Sequence, residues 1–453
     1  MHQKRFSGSL KTHFYHDNNH NQTEIFIMNN PTAHDTREWL GMPLKLIWGY
    51  IAIALFMTGD GFELAFLSKY IVDLGFTEAQ SSNAFAVYGF AAAIAAWVSG
   101  VVAEIITPRK AMIIGFVMWA VLHVLLLILG LGQSNYAMIL LFYGLRGLAY
   151  PLFLYSFIVM IVQNVEARQI GPSMGWFWTV YSFGIGVFGS FIPSFTIPMM
   201  GEMGTLWFAL VFVVLGGLVA VFKLGHLTGK AKGDGLSTQE KLSELSRAIT
   251  LLKNPQIAYA SFIRIVNTLS LFGYAVIGPM YFTKNFEFTT SQWLQIWTVF
   301  FATTLVSNVF WGIVGEKIGW VRTIRWFGCI GMALSTLVFY YLPEWYNTVA
   351  PTGTAGTGEF MMAWIPAILL GWFVAAFVPM TPIFTTLEPT HKGAAISVYT
   401  LSAGLSNFAA PAIAGALLAM FPQNYEIVVL TFTACYIAAF GVSFLLKVQQ
   451  PKH

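Results

Sequence analysis

Charge is what this sequence has least of: Asp, Glu, Lys and Arg make up 10% of its 453 residues, while 57% are hydrophobic. Soluble globular chains carry about 25% charged and 45–50% apolar residues. The apolar excess runs the whole length, which excludes a soluble protein and makes the bilayer a partner. Net charge is only +4, and no basic stripe is dense enough to neutralise a phosphate backbone, so nucleic acid is excluded. Cysteine is nearly absent. Cys329 and Cys435 both lie in apolar runs, which argues against a disulfide framework or a thiolate metal site and leaves small apolar fillers. One histidine, His123, lies in an apolar run. With no His/Cys cluster there is no nucleophile–base pair and no metal centre, so neither an enzyme nor a cofactor is expected. No polar segment is long enough for the signalling domain of a receptor.

What the chain has in quantity is long apolar runs. A helix needs about 20 apolar residues to cross a ~30 Å hydrocarbon core. Twelve runs qualify, at 44–67, 82–104, 111–131, 136–163, 173–193, 204–224, 256–282, 292–316, 322–342, 362–387, 393–420 and 426–446. The longest polar break, 225–254, holds LSTQEKLSELSRAITLLK, which reads as an amphipathic interfacial helix. The expected organisation is thus a tail at 1–43, a six-helix bundle at 44–224, a linker at 225–254, a second bundle at 255–446 and a tail at 447–453. The first tail reads as disordered and lacks the apolar core of a secretory signal, with Met28 an alternative start. Placing the N-terminus inside puts 20 of the 24 basic residues on the inner side, with only Lys69 and Lys284 outside and Arg146 and Arg264 within spans. Both termini are therefore expected to be cytoplasmic.

The two halves repeat. GVVAEIITPRK after the second span holds Gly100, Glu104, Arg109 and Lys110; GIVGEKIGWVR after the eighth holds Gly312, Glu316, Lys317 and Arg322. Glycine would let helices approach closely, and the acid could hold the basic residues of a tight gating loop or nearby helix ends. Basic residues collect in any inner loop, but the paired Gly-x3-Glu needs a better reason. Duplicated six-helix halves with a midplane site between them are typical of transporters.

These loops resemble the signature loop of the major facilitator superfamily, which usually has Asp where Glu104 and Glu316 stand and another glycine before Arg109. MPLKLIWGY, FMTGDGFELAFLS, SGVVAEIITPRK, FYGLRGLAYPLFLYSFIV and IPSFTIPMMGEMGTLW are similar to its polyol permease branch, the bacterial ribitol and D-arabinitol transporters, and the likeness runs from about Glu38 onward. The resemblance implies an all-α polytopic membrane protein, with twelve transmembrane helices in two pseudo-symmetric six-helix bundles. It also implies proton-coupled symport of a neutral pentitol, such as D-arabinitol or ribitol, across the bacterial inner membrane. A monomer working by alternating access is expected. The rival reading is a proton-coupled carrier of another small solute, such as an organic anion received by Arg146 or Arg264.

Two carboxylates, Asp60 and Glu63, lie in the first apolar run and share a helix face. Gly59 and Gly61 flank Asp60 and would let a neighbouring helix come close. Asp60 lies ~10 Å and Arg146 of the fourth span ~15 Å from the outer end. Lipid exposure would cost at least ~2.5 kcal/mol, so both should face the bundle interior. Arginine keeps its proton, so a carboxylate must be the switching group. Asp60 is expected to be the protonation site, Arg146 its counter-ion, and Glu63 a second proton- or hydroxyl-binding group. A purely structural Asp60–Arg146 pin, with Glu63 in an outer vestibule, is the alternative. All three are also candidate substrate ligands. The seventh span adds Arg264, which could snorkel inward or close a gate, with Asn267 and Tyr274 on the same helix. Asn308 and Asn407 could bind hydroxyls or a neighbouring helix. Tyr150, Trp178, Tyr181 and Tyr399 could stack on a polyol chain. Two membrane acids balance two membrane arginines, which favours a neutral solute. His123 reads as a satisfied core histidine. The fifth span lacks a Gly-Pro motif frequent in antiporters of the superfamily, which favours symport.

Overall fold

The computed structural model describes residues 38–39, 42–227, 238–349, 357–389 and 392–448. Most of the expected N-terminal tail, the alternative start Met28, the end of the C-terminal tail and residues 228–237 of the linker lie outside them. Eleven of the described helices are long and apolar enough to cross a membrane. The longest, Gln169–Lys223, contains a break at Gly201 (φ 71°, ψ 174°). It therefore crosses twice, and the described crossings number twelve. The sequence suggested a loop of about ten residues at this point. One glycine makes the turn instead, because it alone enters this region of φ without a Cβ penalty.

The second and eighth spans show how closely the halves repeat. Glu78–Ile106 and Thr290–Ile318 are each 29 residues long. Each opens on a capping box, Thr77 with Gln80 and Thr289 with Gln292, in which the Thr oxygen and the Gln side chain satisfy exposed amides of the first turn. Each closes on a positive-φ residue seven positions beyond its motif glycine, Thr107 (φ 86°) in one half and Gly319 (φ 104°) in the other. The following helices are tied down in parallel ways. Arg109 donates to the Val221 carbonyl, and Arg325 donates to Ser443 O at 2.8 Å and Ser443 Oγ at 2.9 Å. In both halves a guanidinium thus neutralises the carbonyl end of the last helix. Glu316 accepts from Trp320 Nε1 at 2.9 Å.

The first, fourth, seventh and tenth spans are interrupted. The first changes from Ile47–Leu64 to Leu67–Asp73, the fourth from Tyr136–Arg146 to Ala149–Asn164, and the seventh from Pro255–Asn267 to Leu269–Asn285. The tenth passes through a tight 3-10 turn at Ala375–Phe377. Broken helices at membrane depth need partners for the carbonyls they free. Trp293 Nε1 donates to Ala65 O at 2.6 Å, Tyr436 Oη to Asn267 O at 3.1 Å, and Asn267 Nδ2 to Val374 O at 3.2 Å.

On the side away from the 225–254 linker the halves are locked together. Glu78 accepts from Lys284 Nζ at 2.6 Å and from the Tyr425 hydroxyl, and Ser68 Oγ donates to Ala275 O at 3.2 Å. Glycines allow the second and eleventh spans to touch across the seam: a Cβ on Gly89 would lie 2.3 Å from Asn407 O, and one on Gly404 2.6 Å from Ala93 Cα. Gly100 and Gly312 differ from the expectation of close helix approach, since a Cβ on either would meet nothing within 4 Å. The described part of the linker forms the helix Thr238–Leu251, which buries Ala248 in the core.

Candidate functional site: a central cavity and a sealed carboxylate cluster

A cavity of about 670 Å³ lies between the halves. Its wall includes Pro172, Gly175 and Trp176 from the first turns of the fifth span, so it reaches the linker face and stops below the locked seam. Eight of the expected substrate residues line it: Tyr150, Trp178, Tyr181, Arg264, Asn267, Asn308, Tyr399 and Asn407. Sequence reasoning missed Tyr155, Thr304 and Thr400, which also line it. Thr304 lies one helical turn before Asn308, and that spacing was the available signal.

Four expected ligands are elsewhere. Tyr274 is fully buried, donates to Thr336 O at 2.7 Å and packs on Phe339. On an unbroken helix it would share a face with Asn267, but the interruption at Thr268 turns the second segment away. Asp60, Glu63 and Arg146 form a separate cluster, with exposures of 4%, 3% and 0%. Arg146 is ion-paired to Glu63, and not to Asp60 as expected from the sequence. Glu63 therefore lies in the interior and not in an outer vestibule. The guanidinium sits 4.7 Å from the Trp119 ring, 5.0 Å from Tyr143 and 5.8 Å from Tyr88, where aromatic faces substitute for part of its lost hydration.

Asp60 takes its hydrogen bonds from neutral groups, Trp119 Nε1 at 2.7 Å and the Tyr88 hydroxyl at 3.5 Å. The two carboxylates thus sit in different settings. Glu63 neutralises a permanent cation, whereas Asp60 is held by donors that tolerate either of its protonation states. His123 belongs to the cluster as well. Arg146 Nη1 donates to His123 Nδ1, so the ring proton must lie on Nε2, which faces Leu206 O at 3.0 Å. Trp119, stacked on His123 at 4.4 Å, was also missed; one helical turn separates the two on the third span. Gly59 and Gly61 admit the backbone of neighbouring helices, with Cβ positions 2.5 Å from Ala209 O and 2.2 Å from Ile185 O. Tyr88 stacks between Tyr143 at 4.5 Å and Tyr150 at 6.0 Å. Because Tyr150 faces the cavity, two aromatic rings stand between Asp60 and the solute space.

On the cavity side, Arg264 Nη1 donates to Asn267 Oδ1 at 2.6 Å and the guanidinium lies 4.9 Å from the Tyr399 ring. It is a wall residue, not one that snorkels away.

Residues 49–351 match the family model of the Major Facilitator Superfamily. The chain is 62% identical over 418 residues to a ribitol transporter of Klebsiella pneumoniae, covering 92% of this chain and 95% of that one. It is 60% identical over 418 residues to a D-arabinitol transporter of the same organism, covering 92% and 96%. An alpha-ketoglutarate permease of Bacillus subtilis (strain 168) is 36% identical over 424 residues, 91% of each chain. The crystal structure of the nucleoside transporter NupG superposes with a TM-score of 0.67 at 14% identity, covering 89% of this chain and 99% of that one.

Proposed function

Since the chain belongs to the major facilitator superfamily, and is a multi-pass transporter rather than an enzyme, we propose that it takes up a pentitol such as ribitol or D-arabinitol together with protons. The observation that carries this reading is the cavity wall. It offers amides, hydroxyls and aromatic faces suited to a polyhydroxylated chain, and a buried carboxylate lies behind Tyr88 and Tyr150. Extended similarity to two pentitol carriers supports the substrate class.

In this mechanism the locked seam is the outer gate and the cavity opens to the cytoplasm, with both termini on that side of a bacterial inner membrane. Asp60 accepts the transported proton while Glu63 keeps Arg146 paired. Solute on Tyr150 shifts the Tyr150–Tyr88 stack and thereby the hydrogen bond to Asp60, which couples occupancy to the proton. The loops with Gly100, Glu104, Arg109, Lys110, Gly312, Glu316, Lys317 and Arg322 close the inner face when the outer gate opens. The chain acts as a monomer and needs no cofactor.

Uptake of labelled ribitol and D-arabinitol into proteoliposomes, with and without an imposed pH gradient, tests the reading. Accumulation above equilibrium only with the gradient is expected, and gradient-independent equilibration would remove the proton. Arg264 on the wall supports a second reading, a carrier of organic anions only. In that case small carboxylates are taken up and pentitols are not.

A further inference from the structure

The charge balance drawn from sequence changes once the side chains are placed. The two membrane acids and Arg146 form the sealed cluster, and among the described residues lining the cavity the only charged side chain is Arg264. A fixed cation facing a solute space without a wall anion is a receptor for negative charge, and the low-dielectric wall strengthens that attraction.

The guanidinium is also aimed. Its Nη1 is bonded to Asn267 Oδ1, and the Asn267 amide is itself anchored to the Val374 carbonyl freed by the tenth-span break. The Tyr399 ring supports one face of the guanidinium, 4.9 Å away. A carboxylate in the cavity would accept a charge-assisted hydrogen bond from the cavity-facing edge of the guanidinium.

We propose that this corner of the cavity is a carboxylate subsite, and that the transporter accepts a five-carbon polyhydroxy monocarboxylate, an aldonate, alongside its pentitols. The hydroxyl-bearing part of the inference rests on the pentitol reading above, since the same amides and hydroxyls would bind the rest of the chain. One cation fits one carboxylate. A dicarboxylate would have to leave its second charge against neutral groups, which is costly in a confined site.

The test measures gradient-driven uptake of labelled ribitol in proteoliposomes, competed by unlabelled ribitol, D-ribonate or acetate. D-ribonate is expected to compete at concentrations comparable to ribitol, and acetate, which lacks the hydroxyls, to compete weakly. In Arg264→Gln the ratio of the ribonate to the ribitol inhibition constant should rise by about tenfold or more, the scale of a lost charge-assisted hydrogen bond. Arg264→Lys should raise it less. The ratio is informative whatever the absolute activity of the variant. Calorimetric binding of both ligands to purified protein gives the same ratio if a variant no longer transports. Absence of ribonate competition in the unmutated protein, or an unchanged ratio in Arg264→Gln, overturns the subsite. Ribitol uptake without ribonate competition defeats only the subsite, whereas calorimetric binding of ribonate with neither binding nor uptake of ribitol defeats only the pentitol reading.

Discussion

Asp60 and Glu63 stand three residues apart on one helix, yet their surroundings separate them chemically. Glu63 is the ion-pair partner of a fully buried arginine, and Asp60 is held by an indole and a phenol. Their substitutions should therefore fail differently. Glu63→Gln leaves the Arg146 charge buried without its counter-ion, a loss on the order of 3–5 kcal/mol for such pairs. A sharply lower thermal midpoint in detergent is expected, and a midpoint like that of the unmutated protein would refute this account of the pair. Asp60→Asn preserves shape and can still accept from Trp119. It should fold, exchange solute across the membrane and lose accumulation driven by a pH gradient; undiminished accumulation would take the proton away from Asp60. The sequence made both carboxylates conspicuous, because charge is costly inside apolar runs. It could not assign their partners, since helical spacing fixes a face and not which side chain reaches across it. Trp119 was illegible for another reason. Its one signal was a position one helical turn before His123, and that histidine itself read as a satisfied core residue.

At the level of elements, the paired Gly-x3-Glu motifs announced the internal repeat. The structure extends it to equal helix lengths, matching capping boxes and a shared positive-φ stop. Gly319 fills that stop in one half, but Thr107 fills it in the other, and a β-branched residue is poorly suited to φ 86°. Strain of this kind costs ~1–3 kcal/mol. Thr107→Gly should therefore raise stability by about 1 kcal/mol after the entropy that glycine loses on folding, visible as a higher thermal midpoint. No change, or a fall, would mean that the backbone there is unstrained. Gly61→Ala should act in the opposite direction, because the new Cβ meets the Ile185 backbone carbonyl, which has no side-chain freedom to yield. The helix interruptions were harder to foresee. The seventh breaks at Thr268 with neither glycine nor proline at the break, and the carbonyl it frees accepts from Tyr436, a residue distant in sequence. Tyr274 was misplaced for that reason, as periodicity assumes a continuous helix.

For the molecule as a whole, the alternating access proposed above would require the seam that is locked here to open while the opposite face closes. The lock includes a polar latch, Glu78 held by Lys284 and Tyr425, whereas toward the linker face there is open space beside Gly100 and Gly312. Composition and periodicity made the twelve crossings and the two halves legible. They gave no indication of the conformation, because under the proposed alternating access one sequence would have to stabilise both states and each glycine could serve either. Two substitutions should move the balance in opposite directions. Lys284→Met removes the cationic strap and favours opening of the latch. Gly100→Leu fills the space that the linker face must close and so holds the latched state. The readout is the labelling rate of Ser68→Cys, a buried position at the lock, by an impermeant thiol reagent in a background without Cys329 and Cys435. Faster labelling with Lys284→Met and slower labelling with Gly100→Leu are expected. Equal rates in both would mean that this seam does not gate access, and the rocking of the two halves would have to be sought at another contact.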